Sequence, residues 1–220
     1  NSLTTNYADF NKSTGVTVTI DSSRSIAGLH FGSSSGSYTI SKAGAGRTLT
    51  IGAYGIINDS ANNQTITGSA LTLTLGAATT FAVNGTGNLT LSASGSLGTT
   101  STNDLILTGS NSGIGTISSV IAGAGTLTKN GTGTWILSGT NSFSGGTVIN
   151  DGTLKLSNTA ALGTSARTLT LAGGMLDLAT DSTVNAYPTV VTASSTILSD
   201  KATANSAGIT HTLGTLSIGT

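Results

Sequence analysis

Short apolar stretches with a two-residue rhythm, each closed by Gly, Asn, Asp or Ser, run the length of the chain. The pattern begins with TVTI 17–20, SYTI 37–40, TLTIG 48–52, LTLTLG 71–76, FAV 81–83 and LTLS 89–92. It continues through LILTG 105–109, ISSVI 117–121, LTK 127–129, WILSG 135–139, TVI 147–149 and LKL 154–156. LTLAG 169–173, MLDL 175–178, TVVT 189–192, TILS 196–199 and THTLGTLSIG 210–219 complete it. Alternation of this kind marks strands with one buried face, and the punctuation marks turns. The chain is predicted to be all-β.

A sandwich or barrel would also show many short strands. The repetition of one phrase, an LTL-type strand, a Gly turn and a second short strand, favours a solenoid. GTLTKNGTGTWILSG at 125–139 has an approximate copy in RTLTLAGGMLDLATD at 167–181. The interval between the TLT elements at 126–128 and 168–170 recurs between Thr168 and Thr210. Two coils of ~21 residues account for that spacing. The expectation is a single β-solenoid over residues 1–220, with about ten coils, three short strands per coil and a length on the order of 50 Å. Residues 1–15 are expected to be irregular and 181–188 to be a loop excursion. Pro188 belongs at a turn or edge, where its missing N–H costs no ladder bond. Asn84-Gly85, Asn130-Gly131 and Asp151-Gly152 read as turns tolerant of positive φ.

Composition narrows the picture. Only 7% of the 220 residues are charged, glutamate is absent, and there are 31 glycines. This alphabet favours strands and turns over helices. Formal net charge is zero and 36% of residues are hydrophobic, so the chain is equipped to bury a core rather than remain disordered. The lack of a basic footprint argues against nucleic acid as a partner. Cysteine is absent, and a solenoid with a continuous core needs no disulfide staples. The polar residues 1–15 and the strand-like phrase at 213–220 make the chain read as a segment of a longer protein whose export signals lie outside it.

Residues 123–163, GAGTLTKNGTGTWILSGTNSFSGGTVINDGTLKLSNTAALG, closely resemble the autotransporter-associated β-strand repeat, also called the passenger-associated transport repeat. GIINDSANNQTIT (55–67) and LTLSASGSLG (89–98) resemble its weaker flanking coils. The resemblance implies a right-handed parallel β-helix passenger, secreted to the bacterial outer-membrane surface through a translocation barrel. In that family the repeat accompanies efficient passenger secretion, and the stalk displays or forms adhesive surfaces.

Catalytic chemistry is not expected, nor is a cofactor or metal. Gly32-Ser33-Ser34-Ser35-Gly36 matches the nucleophile-elbow pattern, but no helix is predicted after it and no acid–histidine pair is placed by the pattern. His30 and His211 read as isolated solvent-facing histidines. The available carboxylates are Asp9, Asp21, Asp59, Asp104, Asp151, Asp177, Asp181 and Asp200. Asp151, Asp177 and Asp200 come close to coil spacing, which keeps a polysaccharide-processing β-helix enzyme as an alternative, although turn and exposed-face positions describe them better. No calcium nonapeptide repeat or zinc-ligand spacing occurs. Trp135 is expected to pack on its coil rather than offer a sugar platform, since Phe143 is its only near aromatic neighbour. Asn-x-Ser/Thr sites at Asn11, Asn58, Asn63, Asn84, Asn88 and Asn130 reflect composition.

Thr-x-Thr pairs include those that begin at Thr17, Thr48, Thr65, Thr72, Thr126, Thr132, Thr168 and Thr210. A planar array of such pairs on a solenoid would suit ice binding. No single coil period fits these starts, so a regular array is not expected. The expected role is a non-enzymatic stalk or adhesin segment. A fibre subunit stacking end to end on copies of itself is the alternative, because an uncapped solenoid leaves strand edges unpaired. The surface ligand is not legible.

Overall fold

The alternation read from the sequence becomes a stack of parallel strands. A computed structural model describes residues 2–44, 46–69, 71–93, 97–99, 103–203 and 208–219, and among these there is no helix. The first coils use β1 (Ser2–Phe10), β2 (Thr17–Ile20), β3 (Arg24–Phe31), β4 (Thr39–Lys42), β5 (Arg47–Asn58) and β6 (Gln64–Gly68). The middle coils use β7 (Leu71–Leu75), β8 (Thr79–Val83), β9 (Leu89–Ala93), β10 (Leu97–Thr99), β11 (Leu105–Gly109), β12 (Ile114–Ile117), β13 (Ile121–Ala122), β14 (Leu127–Lys129) and β15 (Thr134–Leu137). The last coils use β16 (Thr147–Ile149), β17 (Thr153–Leu156), β18 (Leu169–Leu171), β19 (Met175–Ala179), β20 (Thr189–Val191), β21 (Thr196–Asp200) and β22 (Leu216–Ile218).

All pairings between these strands are parallel and join one coil to the next. They build a 13-stranded sheet and a 9-stranded sheet. The larger sheet forks at β5, whose first half pairs with β7 and whose second half pairs with β8. Three strands per coil therefore describe the middle of the rod, while the first and last coils carry two.

Nine strands in the smaller sheet make eight steps, close to the ten coils expected. The difference lies in coil length. Thr17 pairs with Thr39, Thr39 with Thr65, Thr65 with Thr90 and Thr90 with Thr116, so these coils run to about 25 residues. The following rungs, Ile114, Thr134, Thr153, Met175 and Thr196, are closer together in sequence, at about 20 residues per coil. The ~21-residue period belongs to the second half of the chain. Leu127, Thr147 and Leu169 are successive rungs, so the interval from the first TLT element to the second is two coils, as predicted. The coincidence at Thr210 is not a third repeat, because that column continues through Thr189 to Leu216.

Side chains of one kind stack along each inward column. Val18, Ile40, Ile66, Leu91, Ile117, Leu137, Leu156 and Leu178 form one such line in the smaller sheet. A parallel line of Leu89, Gly115, Trp135, Leu154 and Leu176 holds the largest side chain in the core. Trp135 is fully buried and donates from Nε1 to the Thr108 carbonyl at 2.8 Å. Its indole lies on Gly115, where an added Cβ would sit 2.4 Å from the ring. The small residue on one rung makes room for the large one on the next.

Two stretches differ from expectation or refine it. Residues 2–10, expected to be irregular, form β1 and pair with β3 through a register shift between Leu3 and Tyr7. Residues 181–188 contain no strand, yet Val184 and Tyr187 are buried in the core. Gly115→Val is expected to lower the unfolding free energy by about 1–3 kcal/mol through overpacking against Trp135, measured by urea titration followed by circular dichroism.

Candidate functional site

The bulged beginning of the larger sheet gathers the most polar aromatic cluster among the described residues. Tyr7 pairs in register with Gly28, and Gly28 with Gly55. Gly28 has no side chain to obstruct the ring of Tyr54, whose Cδ1 would lie 2.9 Å from a Cβ placed there. Tyr54 therefore reaches across one coil and stacks on Tyr7, with centroids 4.1 Å apart and planes 2° from parallel. Both residues remain substantially exposed, Tyr54 at 36% and Tyr7 at 45%. Partial burial, reinforced by Tyr7, raises the Tyr54 phenol above its ordinary range.

His30 stands edge-on to both tyrosines and joins two carboxylates from different coils. Its Nε2 lies 3.0 Å from Asp59 Oδ2 in a hydrogen bond. Nδ1 lies 2.9 Å from Asp9 Oδ1, close enough for an ion pair but without hydrogen-bond alignment. Asn84 of the next coil donates to the other oxygen of Asp59 at 2.9 Å. His30 is thus not the isolated histidine expected from the sequence. A carboxylate stands near each of its ring nitrogens, and the cluster offers acceptors and aromatic surface to a bound group.

A second cluster lies on the smaller sheet. Lys155 and Asp177 are cross-strand partners, with Nζ 3.0 Å from Asp177 Oδ2 and 3.6 Å from Asp200 Oδ2. Asp177 is buried, and its Oδ1 has no partner among the described residues. Asp151 does not join this group, since its carboxylate caps the backbone N–H of Gly152 in a turn. Two of the three aspartates near coil spacing meet, and a lysine stands between them. His211 points Nε2 at the Asp200 carbonyl, 3.2 Å away, rather than standing free in solvent.

Two of the remaining carboxylates tie neighbouring coils together. Asp104 accepts from the Thr126 N–H and hydroxyl, and Asp181 does the same for Thr203. The Thr203 hydroxyl holds the Asp181 carboxyl below its usual range. Asp21 is lowered likewise by the Ser22 hydroxyl and the Arg24 guanidinium. Gly32–Gly36 is a turn leading towards a strand, β4, with Ser34 and Ser35 donating to the carbonyls of Asn11 and Phe10 in the coil beneath. Phe143 is buried, as is Asn58, whose amide donates to the Gly87 carbonyl at 2.9 Å and is closed to modification. Asn63 and Asn88 accept from the backbone of the next coil, at Asn88 and Ile114.

Sequence reasoning passed over Lys129. Its neighbours along the inward column are Ile56, Phe81 and Leu107 on one side and Ile149, Leu171 and Val191 on the other. The residue is fully buried. Nζ donates to the carbonyls of Asn130, Gly131 and Asp151 at 2.9, 2.6 and 3.0 Å. The ammonium thereby closes two successive turns, at Asn130-Gly131 and Asp151-Gly152, whose glycines have φ of 67° and 62°. Strict alternation after Leu127 was the signal that pointed inward, but the charge of lysine argued against it. Asn150 donates to the Asn130 side chain at 2.7 Å and adds a second tie between these turns.

These turns fall within the stretch that comparison with known proteins picks out. Residues 127–156 match the passenger-associated-transport-repeat family. Over that stretch the chain is similar to a passenger-associated transport repeat. It is also 42% identical over 64 residues to the adhesin BmaC autotransporter of Brucella suis biovar 1 (strain 1330). That alignment covers 29% of this chain and 2% of the relative, so the chain spans a small part of the curated protein it matches. No solved structure matches the chain. Within the repeat, β14, β15, β16 and β17 form two rungs of the rod, with Lys129 clamping the turns between them.

Burial lowers Lys129 from its ordinary 10.5 to about 8, with Asp151 acting in the opposite sense. Between those two values the unfolded chain binds a proton at this site that the folded chain does not, so stability rises with pH across the window. Urea titrations from pH 8 to 10.5 are expected to show that rise in the parent, and a shallower slope in Lys129→Met.

Proposed function

We propose that this chain is a non-enzymatic stretch of a surface-exposed passenger stalk, with adhesion as its task. The passenger repeat at residues 127–156, continuous with coils on both sides, carries the reading. Its relationship to an autotransporter adhesin supports a stalk that stands outside the cell and is delivered through a translocation barrel. The architecture suits this use. Each coil rests on its neighbours, so stability is spread along the rod and the outer surface is left for contact. Two surface clusters, Tyr7–His30–Tyr54 with its aspartates and Lys155–Asp177–Asp200, have binding chemistry without a nucleophile–base pair.

End-to-end assembly is the second reading. Leu216 and Ile218 hold inward columns yet are 58% and 70% exposed, because no described strand pairs beyond β22. A further coil, from the same chain or from another copy, would cover them.

Protease shaving of intact cells tests the principal reading. Antibody against this chain is expected to lose its target on unlysed cells after proteinase treatment, and the shaved cells are expected to lose attachment to host surfaces. Full protection of the chain until lysis would refute surface exposure. Undiminished attachment after complete shaving would refute adhesion.

A further inference from the structure

The outer face of the smaller sheet carries a regularity that the sequence hides. Thr17, Thr39, Thr65, Thr90 and Thr116 are consecutive rungs of one outward column. Two residues along each strand line stand Thr19, Ser41, Thr67, Ser92 and Ser118, with Thr19 paired to Ser41 and Thr67 to Ser92. These ten outward positions are Thr or Ser, while Ile114, at the start of β12, also faces outward. The coils between these rungs are unequal in length, and the turns absorb the difference, so the hydroxyls remain aligned although no single period fits them.

Composition alone does not produce this column. Threonine suits outward strand positions generally, and the chain is rich in it. On the larger sheet, however, an equivalent outward line reads Thr80, Ile106, Thr128, Val148, Thr170, Val190, with an aliphatic residue at every second rung. On the smaller sheet itself the threonines stop at Thr116, and the column continues as Ile136, Lys155, Asp177 and Leu198. The uninterrupted segment lies outside the matched repeat.

The segment is also regular in register and at least partly exposed. No register shift interrupts its pairings, whereas the larger sheet shifts at Leu3/Tyr7 and Ile26/Gly28. Beneath it, Ile40, Ile66, Leu91 and Ile117 are buried almost completely. Among the described residues, none of the five column-threonine hydroxyls has a protein hydrogen-bond partner. Neighbouring rungs lie ~4.8 Å apart, and the two columns are separated by two residues, ~6.7 Å. These two repeats are near those of water oxygens on faces of hexagonal ice. On such a grid the unpaired hydroxyls would hydrogen-bond water at lattice sites, and the threonine methyl groups would hold water in cages between them.

We propose that the Thr/Ser face formed by β2, β4, β6, β9 and β12 is an ice-binding surface. A stalk bearing it would hold its cell to ice, but the inference rests on the array and is independent of the adhesive reading above. The test is partition of the purified chain into a slowly grown ice hemisphere, with thermal hysteresis and crystal shape measured on the same samples. The parent is expected to enrich in ice and to facet the crystals. Thr65→Tyr and Thr90→Tyr, each placing a large ring in the middle of the grid, are expected to lose most of both effects. Thr128→Tyr, on the larger sheet, is expected to retain them. Ice uptake by the parent no greater than that of an unrelated globular protein would overturn the proposal, whatever the variants do. Full activity in Thr65→Tyr with an unchanged strand spectrum, or equal loss in Thr128→Tyr, would overturn its assignment to this face.

Discussion

In-register stacking of parallel strands is the constraint on which everything else in this protein depends. Each side chain meets the side chain at the same position one coil away, so a residue is judged by its column rather than by its sequence neighbours. An aliphatic column is a core, because each rung covers the one before it. A hydroxyl column is a surface grid. A column containing one odd member must compensate for it locally, as Gly115 does beneath Trp135 and as three carbonyls do around Lys129.

Turns are where the chain absorbs irregularity. The short coil from Thr134 to Thr153 and the long one from Thr39 to Thr65 stack in the same sheet without loss of register, because the extra residues leave the strands and fold between them. Those longer turns are not loose. Asn58, Ser60 and Gln64 are fully buried and bond to backbone groups of adjacent coils or of their own turn, so polar side chains replace the ladder where strands end. In the shorter coils of the passenger repeat one lysine serves two turns together. That arrangement accounts for the compactness of the K-N-G and N-D-G phrases, and for Gly152, where a Cβ would lie 2.7 Å from the lysine nitrogen.

Function follows the same logic of columns and coil boundaries. Tyr7 and Tyr54 are far apart in sequence and meet because the coil between them presents Gly28. His30 contacts Asp9 below and Asp59 above for the same reason. The threonine face is five rungs deep and owes its alignment to strand register, not to a repeated sequence unit.

Strand identity, turn chemistry and the parallel solenoid were legible in the sequence, because alternation and Gly or Asn punctuation are local and are not overridden here. The passenger repeat was legible too, since Gly, Thr, Asn and Leu fall in a long fixed order at 123–163. Only the tertiary structure decided which residues share a column. Inter-coil pairing is non-local, and turns of unequal length shift the register without leaving a mark in the local pattern. For that reason Thr39, Thr90 and Thr116 were not grouped with Thr17 and Thr65, His30 looked isolated, and Thr210 looked like a third repeat. Lys129 shows the remaining limit: alternation alone pointed it inward, but only the carbonyls of two stacked turns make a buried ammonium acceptable there.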